Sequence, residues 1–210
     1  GVFHVKLPNL SARMAYICCE FYDSIESNEY AKGAIEEAIK LNPNEYLYQA
    51  EAGRIYFENK CYQQSIDYYE KAIELNPDSD QLYLERGRAY LENQDPFSAV
   101  EDFKIIIENN PDNEEYNYLL ARAYLNCGYD SDETDPLEKA IEYFKKANDK
   151  YADDEEYFYL KACAYIKIGG NENFSNAIED LTSAINLNAN NDNYYYWRGM
   201  MFCRMGSYND

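Results

Sequence analysis

Self-similarity at an interval of 34 residues constrains this chain more than any other feature. Tyr22, Tyr56, Tyr90 and Tyr124 stand 34 residues apart, and so do Pro43, Pro77 and Pro111. The small or near-small residues Cys19, Gly53, Gly87 and Ala121 keep the same interval three positions earlier. Three unrelated residue classes sharing one period imply a repeated supersecondary unit, because a single unit cannot bury its apolar face alone and must stack on a neighbour.

Each unit reads as two helices. In the second unit the spacing predicts a first helix over about Glu45 to Asn59, with Ala52, Gly53 and Tyr56 at helical intervals. A second helix is predicted over about Tyr62 to Leu75, with Ser65, Ile66, Tyr69, Ala72 and Ile73 on one face. Asn76-Pro77 ends it, since proline cannot continue a helix and disfavours helical geometry in the residue before it.

Gly53-Arg54-Ile55-Tyr56, followed by Tyr62, Ser65, Tyr69, Ala72 and Leu75-Asn76-Pro77, resembles the tetratricopeptide repeat family. The next copy supplies Tyr83, Gly87, Tyr90, Ala99, Phe103 and Pro111. The resemblance implies an all-α solenoid, a right-handed superhelix of antiparallel helix pairs with about five and a half repeats. Small residues at Gly53, Gly87, Ala121, Ala162 and Gly199 should be buried where the first helix approaches its partner, with Ala72, Ala147 and Ala184 acting likewise in second helices. Tyr56, Tyr90, Tyr124 and Tyr165 should fill the gaps between them.

The units fall at 12–45, 46–79, 80–113, 114–154, 155–191 and 192–210, after a leader of residues 1–11. The fourth and fifth carry extra residues, expected to bulge between their two helices over Gly128 to Pro136 and Gly169 to Asn173. Ala152 and Ala189 replace the proline. The sixth unit stops at Tyr208-Asn209-Asp210, where its second helix is due, and Gly1 in place of Met reads as a cleavage scar. About eleven helices and no sheet are expected.

Charge and composition exclude several functions. The formal net charge is −20, from 39 acids against 19 bases. Nucleic acid and anionic membrane surfaces need clustered Lys and Arg, so neither is an expected partner. No apolar run approaches the roughly 20 residues a membrane span needs. The six cysteines, Cys18, Cys19, Cys61, Cys127, Cys163 and Cys203, form no C-x-x-C pair, and His4 is the one histidine. No zinc site, cofactor or Cys-His nucleophile is expected from that set. Scattered cysteines favour a reducing compartment such as the cytoplasm, while a chain that begins with Gly1 and not Met leaves localisation open. The acidic insert Asp130-Ser131-Asp132-Glu133-Thr134-Asp135 lacks the glycine and final glutamate of a calcium loop and reads as solvated.

The family resemblance implies a concave groove lined by the first helices, through the second, fifth, ninth, twelfth and thirteenth positions of each unit. Ninth positions hold Glu20, Arg54, Arg88, Arg122, Cys163 and Met200; fifth positions hold Tyr16, Ala50, Leu84, Tyr118, Tyr159 and Tyr196. Arg54, Arg88 and Arg122 would form a ladder spanning about 20 Å at ordinary helix spacings. Arg and Tyr dominate binding hot spots, so the candidate peptide site is Arg54, Arg88, Arg122, Tyr16, Leu84, Tyr118, Tyr159 and Tyr196. Against this, Glu51 and Glu58 flank Arg54, and Glu85 and Glu92 flank Arg88, at ordinary intrahelical pairing distances. Arg122 has Leu119 and Asn126 there instead and is the least neutralised. The Lys, Asn, Asn, Lys, Arg clamp by which chaperone adaptors of the family hold acidic tails is absent: Tyr16, Glu20, Glu51, Gln81 and Glu85 occupy those positions. The sequence thus leads to a non-enzymatic scaffold for a peptide or protein. A solenoid that self-associates through its open C-terminal end, or a regulatory arm of a larger protein, stays open beside it.

Overall fold

The computed structural model describes residues 25–130 and 134–206. These residues form ten helices and contain no strand: α1 (Ile25–Leu41), α2 (Tyr46–Glu58), α3 (Tyr62–Leu75), α4 (Asp80–Glu92), α5 (Pro96–Asn109), α6 (Glu114–Asp130), α7 (Asp135–Lys146), α8 (Glu155–Ile168), α9 (Asn171–Leu187) and α10 (Asp192–Arg204). Cys19 and Tyr22, the landmarks of the first unit's first helix, lie outside the described residues, as does the centre of the acidic insert, residues 131–133. The chain divides into two compact units, one up to Asp102 and one from Phe103.

In the unit up to Asp102, α1 meets α2 through Ile35, Ala38, Ala52 and Ile55. The face predicted for α3 is the one buried: Ser65, Ile66, Tyr69, Ala72 and Ile73. Gly53 makes its closure on α2 possible, since a Cβ there would meet the Tyr69 ring at 2.9 Å. Ser65 Oγ donates to the Gly53 carbonyl at 2.8 Å, satisfying a buried hydroxyl across the same crossing. Beyond it, Tyr69, Ala72 and Ile73 pack on Leu82 of α4.

The turns in this unit repeat as the helices do. After α2, Lys60 N–H donates to the Phe57 carbonyl and Cys61 N–H to that of Tyr56; after α4, Gln94 and Asp95 repeat the pattern onto Leu91 and Tyr90. This is the Schellman arrangement that closes helix C-termini. Its left-handed position, where glycine is usual, holds Lys60 and Gln94, both at φ 60°.

In the unit from Phe103, aromatic rings do much of the packing. Tyr118 of α6 stacks on Tyr151 and meets Phe144 of α7 edge-on, and Phe144 meets Tyr157 of α8 edge-on. The Tyr157 hydroxyl donates to the Phe144 carbonyl at 2.9 Å. Asp154 caps α8 by accepting from the backbone N–H of Glu156 and Tyr157.

Three expectations need correction. The extra residues of the fourth unit do not form a bulge from Gly128 onward. They prolong α6 to Asp130, and Gly128 is buried inside the helix against Leu137. In the fifth unit only Gly169 and Gly170, at φ 81° and 89°, separate α8 from α9, and the remaining residues lengthen the start of α9. Helical hydrogen bonds satisfy backbone that a loop would leave to water. Finally, Gly53, Gly87, Ala121 and Ala162 are buried as expected, but Gly199 is exposed. Among the described residues no helix follows α10 to meet it, and a Cβ there would find nothing within 4 Å.

Candidate functional site

The first helices carry the candidate residues, and each compact unit presents its own surface. In the unit up to Asp102, α2, α4, α1 and α3 enclose a concavity of about 510 Å³. Ala50 and Arg54, at fifth and ninth positions, line it together with Leu47, Glu51, Tyr69 and Glu85. Arg54 is fully engaged: its Nε and Nη2 donate to the two oxygens of Glu51 at 3.1 and 2.5 Å, and Nη1 contacts Glu58. The hydrogen bonding to Glu51, above all, pushes the guanidinium's pKa further up. Arg88 pairs with Glu85 at 3.4 Å. Glu85 also accepts from Gln81 at 2.7 Å. The chaperone-clamp positions Glu51, Gln81 and Glu85 are thus occupied with each other's neighbours, and two of the three are carboxylates. Leu84, a candidate site residue, is buried and is not among the residues that line the concavity.

In the unit from Phe103, α6, α8 and α10 are the first helices, and α6 touches α8. Arg122 of α6 makes no ion pair among the described residues; its guanidinium lies 5.8 Å from the centre of the Tyr118 ring. Tyr118 itself is buried. Burial pushes its phenol pKa up to about 12, with Arg122 opposing. Tyr159 of α8 is half-buried and packs on Tyr194 at 5.3 Å, and Tyr196 of α10 is 60% exposed beside Trp197. Cys163 lies between the hydroxyls of Tyr129 and Tyr159. Burial pushes its thiol up, and the two hydroxyls pull it back. Tyr16 falls outside the described residues.

Two largely buried ion pairs between helices escaped the sequence reading. Arg86 of α4 forks onto Asp102 of α5, Nε to Oδ2 at 2.9 Å and Nη2 to Oδ1 at 2.7 Å. Lys161 of α8 meets Asp180 of α9 at 2.9 Å. Both cations stand at the seventh position of their unit, over an aromatic ring three residues earlier, Tyr83 and Phe158. Both acids occupy the same place in the second helix once the fifth unit's insertion is removed. Laying the units over one another would have shown this signal. Arg198 repeats it over Tyr195, with Thr182 Oγ1 of the preceding helix as its acceptor at 3.2 Å.

The described residues contain no group of three or more His, Cys, Asp or Glu that could hold a metal ion, and no helix among them is long and apolar enough to cross a membrane.

A chain of antiparallel helix pairs built on a 34-residue repeat is a helical-repeat protein. Residues 53–94 match the family model described as TPR repeat, and residues 84–128 match the one described as tetratricopeptide repeat. Residues 53–128 are thus tetratricopeptide repeats. No curated protein matches the sequence. Among solved structures, the fold is similar to that of MamA, residues 41 to the end, from Desulfovibrio magneticus RS-1. The TM-score is 0.74 at 19% identity, over 88% of this chain and 97% of that one. It is equally similar to YrrB, a TPR protein with an unusual peptide-binding site, with a TM-score of 0.75 at 18% identity over 90% of each chain. At these identities the likeness is one of fold.

Proposed function

We propose that the chain is a protein–protein interaction scaffold, without catalytic activity of its own, that holds a peptide or partner protein against its first helices. The observation that carries this reading is Arg122: a guanidinium with no carboxylate partner among the described residues, set on a tyrosine ring, in a chain of net charge −20. In so acidic a protein an unpaired arginine is a place where a partner's carboxylate can be recognised by a fork of N–H donors. Tyr196, exposed on α10, and the half-buried Tyr159 of α8 add aromatic surface of the kind that anchors interfaces. Arg54 and Arg88 support the reading less, since glutamates already satisfy them. YrrB, which shares the fold, has a peptide-binding site.

The test is capture of partners from the source cell on immobilised protein, with Arg122→Glu beside the unaltered chain. Loss of retained proteins with no change in Tm beyond one or two degrees is the expected result. Unchanged capture would reduce Arg122 to helix-surface electrostatics.

A second reading, self-association, is favoured by one observation: Gly199 faces open space on α10, beside Tyr195, which is 43% exposed. Sedimentation at micromolar concentration separates the two, since a monomer leaves α10 out of any self-contact.

A further inference from the structure

The concavity enclosed by α1 to α4 differs in character from the arginine-bearing surface of the other unit. Its floor is apolar, formed by Ile35, Ala50, Tyr69 and Leu82, and Leu47 stands at its edge 55% exposed to solvent. Its charged rim is dominated by acid. Arg54 is spent on Glu51 and Glu58, and Glu85 faces in from α4. The Tyr69 phenol at the floor feels this imbalance: burial first, and then Glu85, Glu51 and Glu58 push its pKa up, against Arg54 alone. A side chain entering here meets apolar walls, then the carboxylates of Glu51 and Glu85, paired with Arg54 and Arg88, while Glu58 shares Arg54, so that the acids outnumber the guanidiniums that face them.

We propose that this concavity receives an apolar side chain of a partner peptide whose flanking residues are lysine or arginine. The inference rests on the scaffold reading above and specifies its chemistry in this unit. An arginine ladder read from sequence would select an acidic peptide; here the ladder's first rung is internally satisfied, and the glutamates around it set the sign. Apolar fit supplies the affinity and the carboxylate rim selects among sequences and speeds encounter. A chain of net charge −20 adds long-range attraction for a basic segment.

The experiment uses the whole chain and three short fluorescein-labelled peptides, read by anisotropy. One has a central Leu-Phe pair flanked by lysines. In the second, glutamates replace the lysines. In the third, serines replace the Leu-Phe pair. The lysine peptide is expected to bind at least tenfold more tightly than either of the others at low salt. Its lead over the glutamate peptide should shrink as salt rises. Leu47→Asp should weaken it at least tenfold with Tm unchanged, since Leu47 is already exposed. Glu85→Lys should shift preference towards the glutamate peptide. If the glutamate peptide binds best and Leu47→Asp still abolishes it, the inference is overturned while the scaffold reading stands. If no peptide binds and Leu47→Asp instead dissociates a dimer in sedimentation, a second copy is the occupant and the inference fails. If no peptide binds and the chain is monomeric, the inference and a peptide-holding role for this unit fall together.

Discussion

Gly128 of α6 lies so close to Leu137 of α7 that a Cβ on it would stand 2.2 Å from Leu137 Cδ2. Leu137 is almost wholly buried, so it has little room to withdraw. Gly128→Ala should therefore lower stability by about 1–3 kcal/mol, the usual cost of overpacking. In a Leu137→Ala background the same change should cost much less, because the two positions share one space. Urea denaturation of the four proteins measures this coupling.

Gly199 provides the opposite case on the same kind of helix. Nothing lies within 4 Å of where its Cβ would be, and the residue sits in the interior of α10. Gly199→Ala should stabilise by about 0.5–1 kcal/mol through helix propensity alone. A loss of stability would show that this face of α10 is covered in solution.

Lys60 and Gln94 occupy left-handed backbone at the two repeated turns. That conformation costs an L-residue with a Cβ about 1–2 kcal/mol. Lys60→Gly and Gln94→Gly should each raise stability by about 0.5–1 kcal/mol, the remainder being lost to the flexibility of glycine in the unfolded chain. Thermal melting of the single and double variants checks both values and their additivity.

The Arg86–Asp102 pair ties α4 to α5 with little exposure to water. Burial pushes Asp102 up, with Arg86 holding it back. Asp102→Ala should cost about 3–5 kcal/mol, because it strands a buried guanidinium. Arg86→Met combined with Asp102→Leu should come close to neutral by comparison, since it removes both charges and fills the space. Chemical denaturation of the single and double variants tests this contrast.

Asp180 sets a pH dependence. Burial pushes its carboxyl up to about 6, against the pull of Lys161, and its Oδ2 has no hydrogen-bond partner among the described residues. Because the folded state raises this pKa above the unfolded value near 4, the group favours folding below about pH 4. That contribution is lost as pH rises to about 6. Asp180→Asn should abolish it. The stability of the natural chain relative to the variant should thus fall by about 2 kcal/mol between pH 4 and 6. A constant difference across that range would place the native pKa at the ordinary value.

The repeat and its helix pairs were legible in the sequence because they depend on local rules. The buried face of α3 follows from helical spacing, its end from Asn76-Pro77, and the α2–α3 crossing from a glycine opposite a tyrosine. The intrahelical partners of Arg54 and Arg88 were legible for the same reason, since three- and four-residue spacings fix them.

Other features depend on what stands across from a residue, and periodicity does not show that. Leu84 and Tyr118 share a repeat position with Tyr196, yet they are buried while it is exposed, because neighbouring helices and Tyr151 cover them. Gly128 read as the start of a loop, whereas packing against Leu137 drew it into a helix. Lys60 and Gln94 gave no glycine signal for their turns, since helix packing on both sides holds the chain in a conformation the residue alone disfavours. The sequence by itself determined the unit, its length and the faces of its helices, through interactions a few residues apart. The tertiary structure alone decided which copies of each position meet solvent, because burial depends on the facing helix, and each hairpin faces a different one.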